Sequence, residues 1–278
     1  MTMRRAALSL LMMAACASAA AQTEIVVDRT PPADQAANAA LLQGLDRELW
    51  SAGVFEHGAG ALPYRLLPPT EVHGGQRYPL VIVLHGSDAV GTDNRAQLGR
   101  LALSWSAPAI RARFPAYVLA PQFPERSANY SPSVADGLLA AQPGPNIPTL
   151  IALVAQLSKQ YPIAAERVYI TGFSMGASAA TQALLQQPDM FAAAVAFSGI
   201  APERAEAARL ATTPLLIVHG GADSENPIEP DRALVAALQR LPSAKVRFLE
   251  YQGMEHQVPP DMLLSAAWRE WLFAQRSH

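Results

Sequence analysis

Six short apolar runs along the chain constrain the fold more than any other feature. Residues 80–84 read Leu-Val-Ile-Val-Leu without a polar break, and comparable runs lie at 116–120, 168–171, 193–197, 215–218 and 246–251. A continuous β-branched run suits a strand buried on both faces of a parallel sheet. Helical patterns separate them. Ile147, Leu150, Ile151, Val154 and Leu157 share one helix face, which Pro162 closes. Residues 175–187 are helix-like and stop at Pro188, residues 232–241 stop at Pro242, and residues 262–273 form the last such stretch. Upstream, residues 36–50 have helical spacing, 62–67 read as a strand, 68–76 as a polar turn and 23–32 as a loose arm or edge. This alternation predicts an α/β protein: a mostly parallel central sheet with helices on both faces. Residues 123–148 stand apart, with five prolines and two glycines. A connection of that length is either a lid or binding loop, or a surface excursion.

Half of the 278 residues are hydrophobic and 16% are charged, enough for a sizeable core. The net charge of -2, with no basic run, argues against a nucleic-acid partner. Residues 1–21 read as a signal peptide: a basic start at Arg4 and Arg5, an apolar stretch, then Ala19-Ala20-Ala21 before Gln22 as a cleavage site. That run is too short to span a bilayer, which needs about 20 apolar residues. The chain is therefore expected to be exported, to the periplasm or beyond, with no stable membrane span. The alternative is a lipoprotein anchored through Cys16, since Met13-Ala14-Ala15-Cys16 is a weak lipidation box. No linker divides residues 22–278. Cys16 is the only cysteine, so the folded part has neither a disulfide nor a cysteine nucleophile.

Gly172-Phe173-Ser174-Met175-Gly176 is a G-x-S-x-G sequence placed between a predicted strand and a predicted helix. That strand–turn–helix setting exposes a serine hydroxyl on a tight turn. A serine needs a base in hydrogen-bond reach, and the base needs an orienting acid. Three histidines follow Ser174. His278 is the last residue. His219 directly follows a strand and would sit beside the acid. His256, in a Gly-containing loop after the last strand, can reach over the serine and is the candidate base. Asp223, after the turn His219-Gly220-Gly221, is the candidate acid, with Glu225 and Asp231 as nearby rivals. The backbone N–H groups of Met175 and of Ser87, which follows His85-Gly86, are the candidate oxyanion donors. Gln122, Asp93 and Asn94 either line the site or make ordinary loop hydrogen bonds. The histidines are scattered and none pair at ligand spacing, so no metal is expected, and no cofactor.

Taken together, Leu84-His85-Gly86, Gly172 to Gly176, His219-Gly220 with Asp223, and Gly253 with His256 resemble the α/β-hydrolase superfamily. Within it the chain is similar to secreted bacterial carboxylesterases with a prolyl-oligopeptidase-like or dienelactone-hydrolase-like catalytic domain. Tyr64-Arg65-Leu66-Leu67-Pro68, Gly91-Thr92-Asp93-Asn94 and Ala120-Pro121-Gln122 add to the likeness. The resemblance covers residues 62–273. It implies that residues 22–278 form one α/β-hydrolase catalytic domain, cleaving a small-molecule carboxylic ester through a Ser174–His256–Asp223 triad and an acyl-enzyme. A peptidase acting on short peptides and a non-catalytic binding protein of the same fold are the competing readings. The oligomeric state is not encoded in these motifs. Dienelactone hydrolases use a cysteine nucleophile, which is missing here, and the 123–148 segment looks like an addition.

Overall fold

Alternate residues of each central strand bury against opposite faces of one sheet. In the computed structural model, Leu80, Ile82 and Leu84 join one apolar core, while Val81 and Val83 join the other. Leu215 and Ile217 are split from Leu216 and Val218 in the same way. This is why the runs lack polar breaks: both faces are covered, and each fully buried side chain of this size contributes about 2 kcal/mol. The structure describes residues 22–27, 30, 32–58 and 60–277. The proposed signal peptide and Cys16 lie outside the described residues.

The described chain begins with β1 (Gln22–Val27), α1 (Pro32–Gln43), β2 (Ser51–His57), β3 (Gly60–Leu67) and β4 (Tyr78–Leu84). Two short helices follow, α2 (Arg100–Leu103) and α3 (Pro108–Arg113), then β5 (Tyr117–Pro121). Next come β6 (Ala128–Pro132), β7 (Leu139–Pro143), α4 (Ile147–Gln160), β8 (Ile163–Phe173) and α5 (Met175–Gln186). The C-terminal part contains β9 (Ala193–Phe197), α6 (Ala207–Leu210), β10 (Leu215–Gly220), α7 (Glu229–Leu238), β11 (Val246–Gln252), α8 (Pro260–Leu263) and α9 (Ala267–Phe273). Among the described residues, nine strands form one sheet in the order β1-β11-β10-β9-β8-β4-β5-β3-β2. The pairs from β1 to β5 across that order are parallel, whereas β5 with β3 and β3 with β2 pair antiparallel. Helices α4 to α7 cover one face, and α2, α3, α8 and α9 supply the core of the other.

Four stretches differ from the sequence expectation. The helix expected over 36–50 is shifted to α1, where the N–H of Gly44 bonds back to Ala40 and Leu41 and ends it. β2 has almost no sequence signal, because Phe55 is its one buried side chain and an edge strand needs little more. The segment 123–148 folds partly into the antiparallel hairpin β6–β7. It packs on α5, where Gln182 Nε2 donates to Ala141 O at 2.7 Å.

The last expected helix, 262–273, is broken into α8 and α9 around Leu264 (φ -110°, ψ 7°). Arg269 accounts for the break. Its guanidinium is fully buried and donates to Leu263 O at 3.1 Å, Ser265 O at 2.7 Å and Ser104 Oγ at 2.6 Å. Carbonyls freed at the break are thus satisfied by a side chain. The guanidinium packs over both the Trp105 and Trp268 rings, 4.5 and 4.3 Å from their centroids, and burial pushes its pKa down. We expect Arg269→Ala to lower unfolding free energy by about 3 kcal/mol or more, and Arg269→Met by less because it keeps the volume. Urea denaturation followed by tryptophan fluorescence measures both.

Candidate active site

The end of β8 delivers Ser174 into an unusual backbone conformation, φ 55° and ψ -123°. A non-glycine residue at positive φ costs about 1–3 kcal/mol and persists only where its surroundings hold it. Here the Ser174 N–H bonds to Phe197 O at 2.9 Å, and its carbonyl accepts from Ala177 and Ser178 as α5 begins. The flanking glycines permit the turn. A Cβ on Gly172 would collide with the Gly176 backbone, and one on Gly176 with the carbonyls of Leu84 and His85. The G-x-S-x-G spacing is therefore a close-approach requirement between β4, β8 and α5.

His256 lies in the loop after β11, and its ring spans the gap between serine and carboxylate. Nδ1–H donates to Asp223 Oδ2 at 2.7 Å, and Nε2 accepts from Ser174 Oγ at 2.9 Å. The Phe173 ring packs against the imidazole with centroids 4.8 Å apart. Asp223 follows β10, and its Oδ1 accepts the N–H groups of Glu225 (3.0 Å) and Asn226 (2.8 Å). Burial alone would raise the Asp223 pKa. The hydrogen bonds from His219 and His256 outweigh it and hold this carboxyl well below the usual range. Of the two rival acids, Asp231 contacts His219 and not His256. Glu225 is exposed, with an oxygen 3.9 Å from His256 Nε2.

The loop after β4 approaches from the other side. Met175 is the first residue of α5 and Ser87 the first of a 3-10 turn, so neither N–H is consumed within its own helix. His85 braces this loop. Its Nδ1–H donates to Gly86 O at 2.7 Å, and its Nε2 accepts from the Phe123 N–H at 2.9 Å. That arrangement fits a neutral ring, and burial lowers its pKa accordingly. Of the two readings for Gln122, Asp93 and Asn94, the structure shows the loop hydrogen bonds. Gln122 Oε1 accepts from the Asn94 N–H at 2.5 Å, and its Nε2 donates to Asp93 Oδ1 at 2.8 Å and Ala89 O at 3.2 Å. Asp93 Oδ1 also accepts from the Arg95 and Ala96 N–H groups, and the Asn94 side chain donates to Gly53 O and accepts from Gln97 Nε2, so the three residues brace the loop between β4 and α2.

A cavity of about 700 Å³ lies against this cluster. Phe173, His256 and Gly86 line it, as do Ala39 and Leu42 of α1 and Leu263 of α8. The contribution of α1 had no sequence signal, because most of that helix is exposed and only Leu42 is buried.

A second imidazole lies behind Asp223. His219 is fully buried, with Nδ1 2.7 Å from Asp231 Oδ2. Its Nε2 is 3.0 Å from Asn226 O and 3.3 Å from Asp223 Oδ2. Burial opposes its charge, yet the bonds to Asp223 and Asp231 prevail and push its pKa up to about 10.

Comparison with known proteins agrees with this architecture. A family model described as phospholipase/carboxylesterase matches residues 142–268. No curated protein matches the chain. Among solved structures, a thermostable esterase shares 30% identity at a TM-score of 0.73, over 82% of this chain and 64% of that one. Esterase PE8 shares 25% identity at a TM-score of 0.54, over 74% of this chain and 97% of that one. Dipeptidyl peptidase 4 of Porphyromonas gingivalis shows the fold alone, at 14% identity and a TM-score of 0.60, over 81% of this chain and 35% of that one. The chain thus spans under two thirds of the thermostable esterase and about a third of the peptidase. It belongs to the α/β-hydrolase superfamily.

The His219 shift has a consequence for stability. The unfolded chain releases this proton near pH 6.5, the folded protein near 10, so between those values the folded state binds more protons and stability falls as pH rises. The contribution is complete below 6.5 and is lost through 10. We expect the thermal midpoint to decline more steeply from pH 7 to 10 in the wild type than in His219→Gln, as read by differential scanning fluorimetry.

Proposed function

We propose that this protein is a serine hydrolase that cleaves carboxylic esters of small molecules through an acyl-enzyme. The observation that carries this reading is the unbroken hydrogen-bonded series Ser174 Oγ, His256, Asp223, at 2.9 and 2.7 Å. Ser174 attacks the ester carbonyl as His256 accepts its proton. The N–H groups of Met175 and Ser87 hold the developing oxyanion, each donor supplying about 3–4 kcal/mol. His256 then protonates the departing alcohol, and activates the water that releases the acid. Asp223 keeps the imidazole in the tautomer this sequence of steps requires. The cavity beside Phe173 and His256 receives a non-reacting part of the ester, and its volume suits a group larger than acetyl. The similarity to two esterases supports this substrate class. No described helix is long and apolar enough to cross a membrane. We further propose export, on the leader-like residues 1–21.

Ser174→Ala should lower kcat/KM for a p-nitrophenyl ester by at least about 10⁴-fold and abolish labelling by a fluorophosphonate, with circular dichroism unchanged. Residual wild-type-like turnover would remove Ser174 from the mechanism. A labelled wild type that cleaves aminoacyl amides in preference to esters would favour the peptidase reading.

Ala39 offers a test of the cavity. Ala39→Trp should cut kcat/KM for octanoyl esters by about tenfold or more and leave acetyl esters within about twofold. Equal losses on both would show that the acyl group binds elsewhere.

A further inference from the structure

His219 is a buried titratable residue that the proposed chemistry leaves without a role. Its two ring nitrogens face oxygen acceptors. Nδ1 meets the Asp231 carboxylate, and Nε2 meets the Asn226 carbonyl and the Asp223 carboxylate. A neutral imidazole has one N–H and one lone pair. Either neutral tautomer would point that lone pair at an oxygen within about 3 Å, inside a fully buried site, which is costly. With both carboxylates ionised, only the imidazolium matches every partner. The same cation answers a second problem, since Asp223 and Asp231 would otherwise place two buried carboxylates around one spot.

Asp223 Oδ2 lies between two imidazoles, His256 at 2.7 Å and His219 at 3.3 Å, while Oδ1 is held by two backbone N–H groups. The carboxylate is fixed from every side. We propose that His219 is a positioning residue that is charged at neutral pH: its imidazolium grips the catalytic acid from behind, keeping Asp223 ionised and aimed at His256. This rests on the reading of Ser174, His256 and Asp223 as the catalytic triad.

Other titratable groups around the pair are few. Asp231 comes from α7, and the Tyr130 hydroxyl from the β6–β7 hairpin reaches toward Asn226 and Asp231. On the His256 side stands the exposed Glu225, with Glu255 held by Ser224. With the His219 cation removed, Asp223 and Asp231 would face each other uncompensated. Asp223 would take up a proton more readily, or the added negative field would make His256 do so. Both outcomes move the loss of activity on acidification to higher pH.

Two measurements test the proposal. In ¹⁵N-histidine NMR of the wild type, both His219 ring nitrogens should remain protonated across about pH 6 to 9, a range in which a free imidazole would titrate. A neutral His219 at pH 7.5 overturns the proposal without reference to any variant. In kinetics on a p-nitrophenyl ester, His219→Gln should raise the acid-side midpoint of kcat/KM by about one pH unit. The double variant His219→Gln/Asp231→Asn, which removes the second carboxylate as well, should return most of that shift. A purely structural histidine would scale kcat/KM equally at every pH, and an unmoved midpoint in a folded His219→Gln overturns the proposal. The two failures are separable: wild type inert to esters and fluorophosphonate refutes the triad, whereas an active enzyme with an unmoved midpoint refutes the role of His219.

Discussion

The close approach of β4, β8 and α5 at Gly172 and Gly176 is the constraint on which the rest of the site depends. It forces Ser174 into positive φ and lifts its side chain off the sheet. The strain is held by backbone bonds to Phe197 on β9 and into the first turn of α5. α5 must also be slender to lie so near the sheet, and Ala177, Ala179, Ala180 and Ala183 provide that. A larger residue at these positions would push the helix away and relax the turn that presents the hydroxyl. The proposed catalytic geometry is thus a product of packing, fixed by small residues that carry no chemistry themselves.

The acid and the base arrive from strands on one side of the serine. β10 ends in His219-Gly220 and β11 ends near Gly253, and these neighbouring parallel strands point their following loops the same way. Asp223 and His256 therefore meet beyond the carboxyl ends of the strands, where an open α/β sheet concentrates its binding groups. His85 does the corresponding work for the loop on the opposite side. Three histidines flank the proposed site with different tasks: one neutral and structural, one touching the serine, one charged behind the acid.

Much of this is legible in the sequence because the central strands are covered on both faces. An uninterrupted run as short as residues 80–84, flanked by turn residues, suits a doubly buried strand and little else. The G-x-S-x-G setting and the loops bearing Asp223 and His256 follow from chain order alone. What escapes has its cause in tertiary packing. β2 buries only Phe55 and so leaves almost no pattern. The break between α8 and α9 depends on Arg269 reaching Ser104, a residue more than 160 positions away. Gln122, Asp93 and Asn94 are polar and near the loop after β4, which makes them natural candidates for the site, but the hydrogen bonds they make to one another and to neighbouring loop groups are set by tertiary packing. Chain order puts His219 beside the acid, yet its second partner Asp231 sits on α7 and cannot be assigned from spacing.

The first strand of the sheet completes its edge by pairing with the last: Gln22 stands opposite Arg247 in the β1–β11 ladder. β11 follows β1 by more than 200 residues, so β1 has no partner until that intervening chain has been made. α1 is tethered to that strand and walls the cavity at Ala39 and Leu42. The flank of the compartment that α1 walls therefore waits on a long-range pairing, and a nascent chain would pass through a stage with that chamber open on one side.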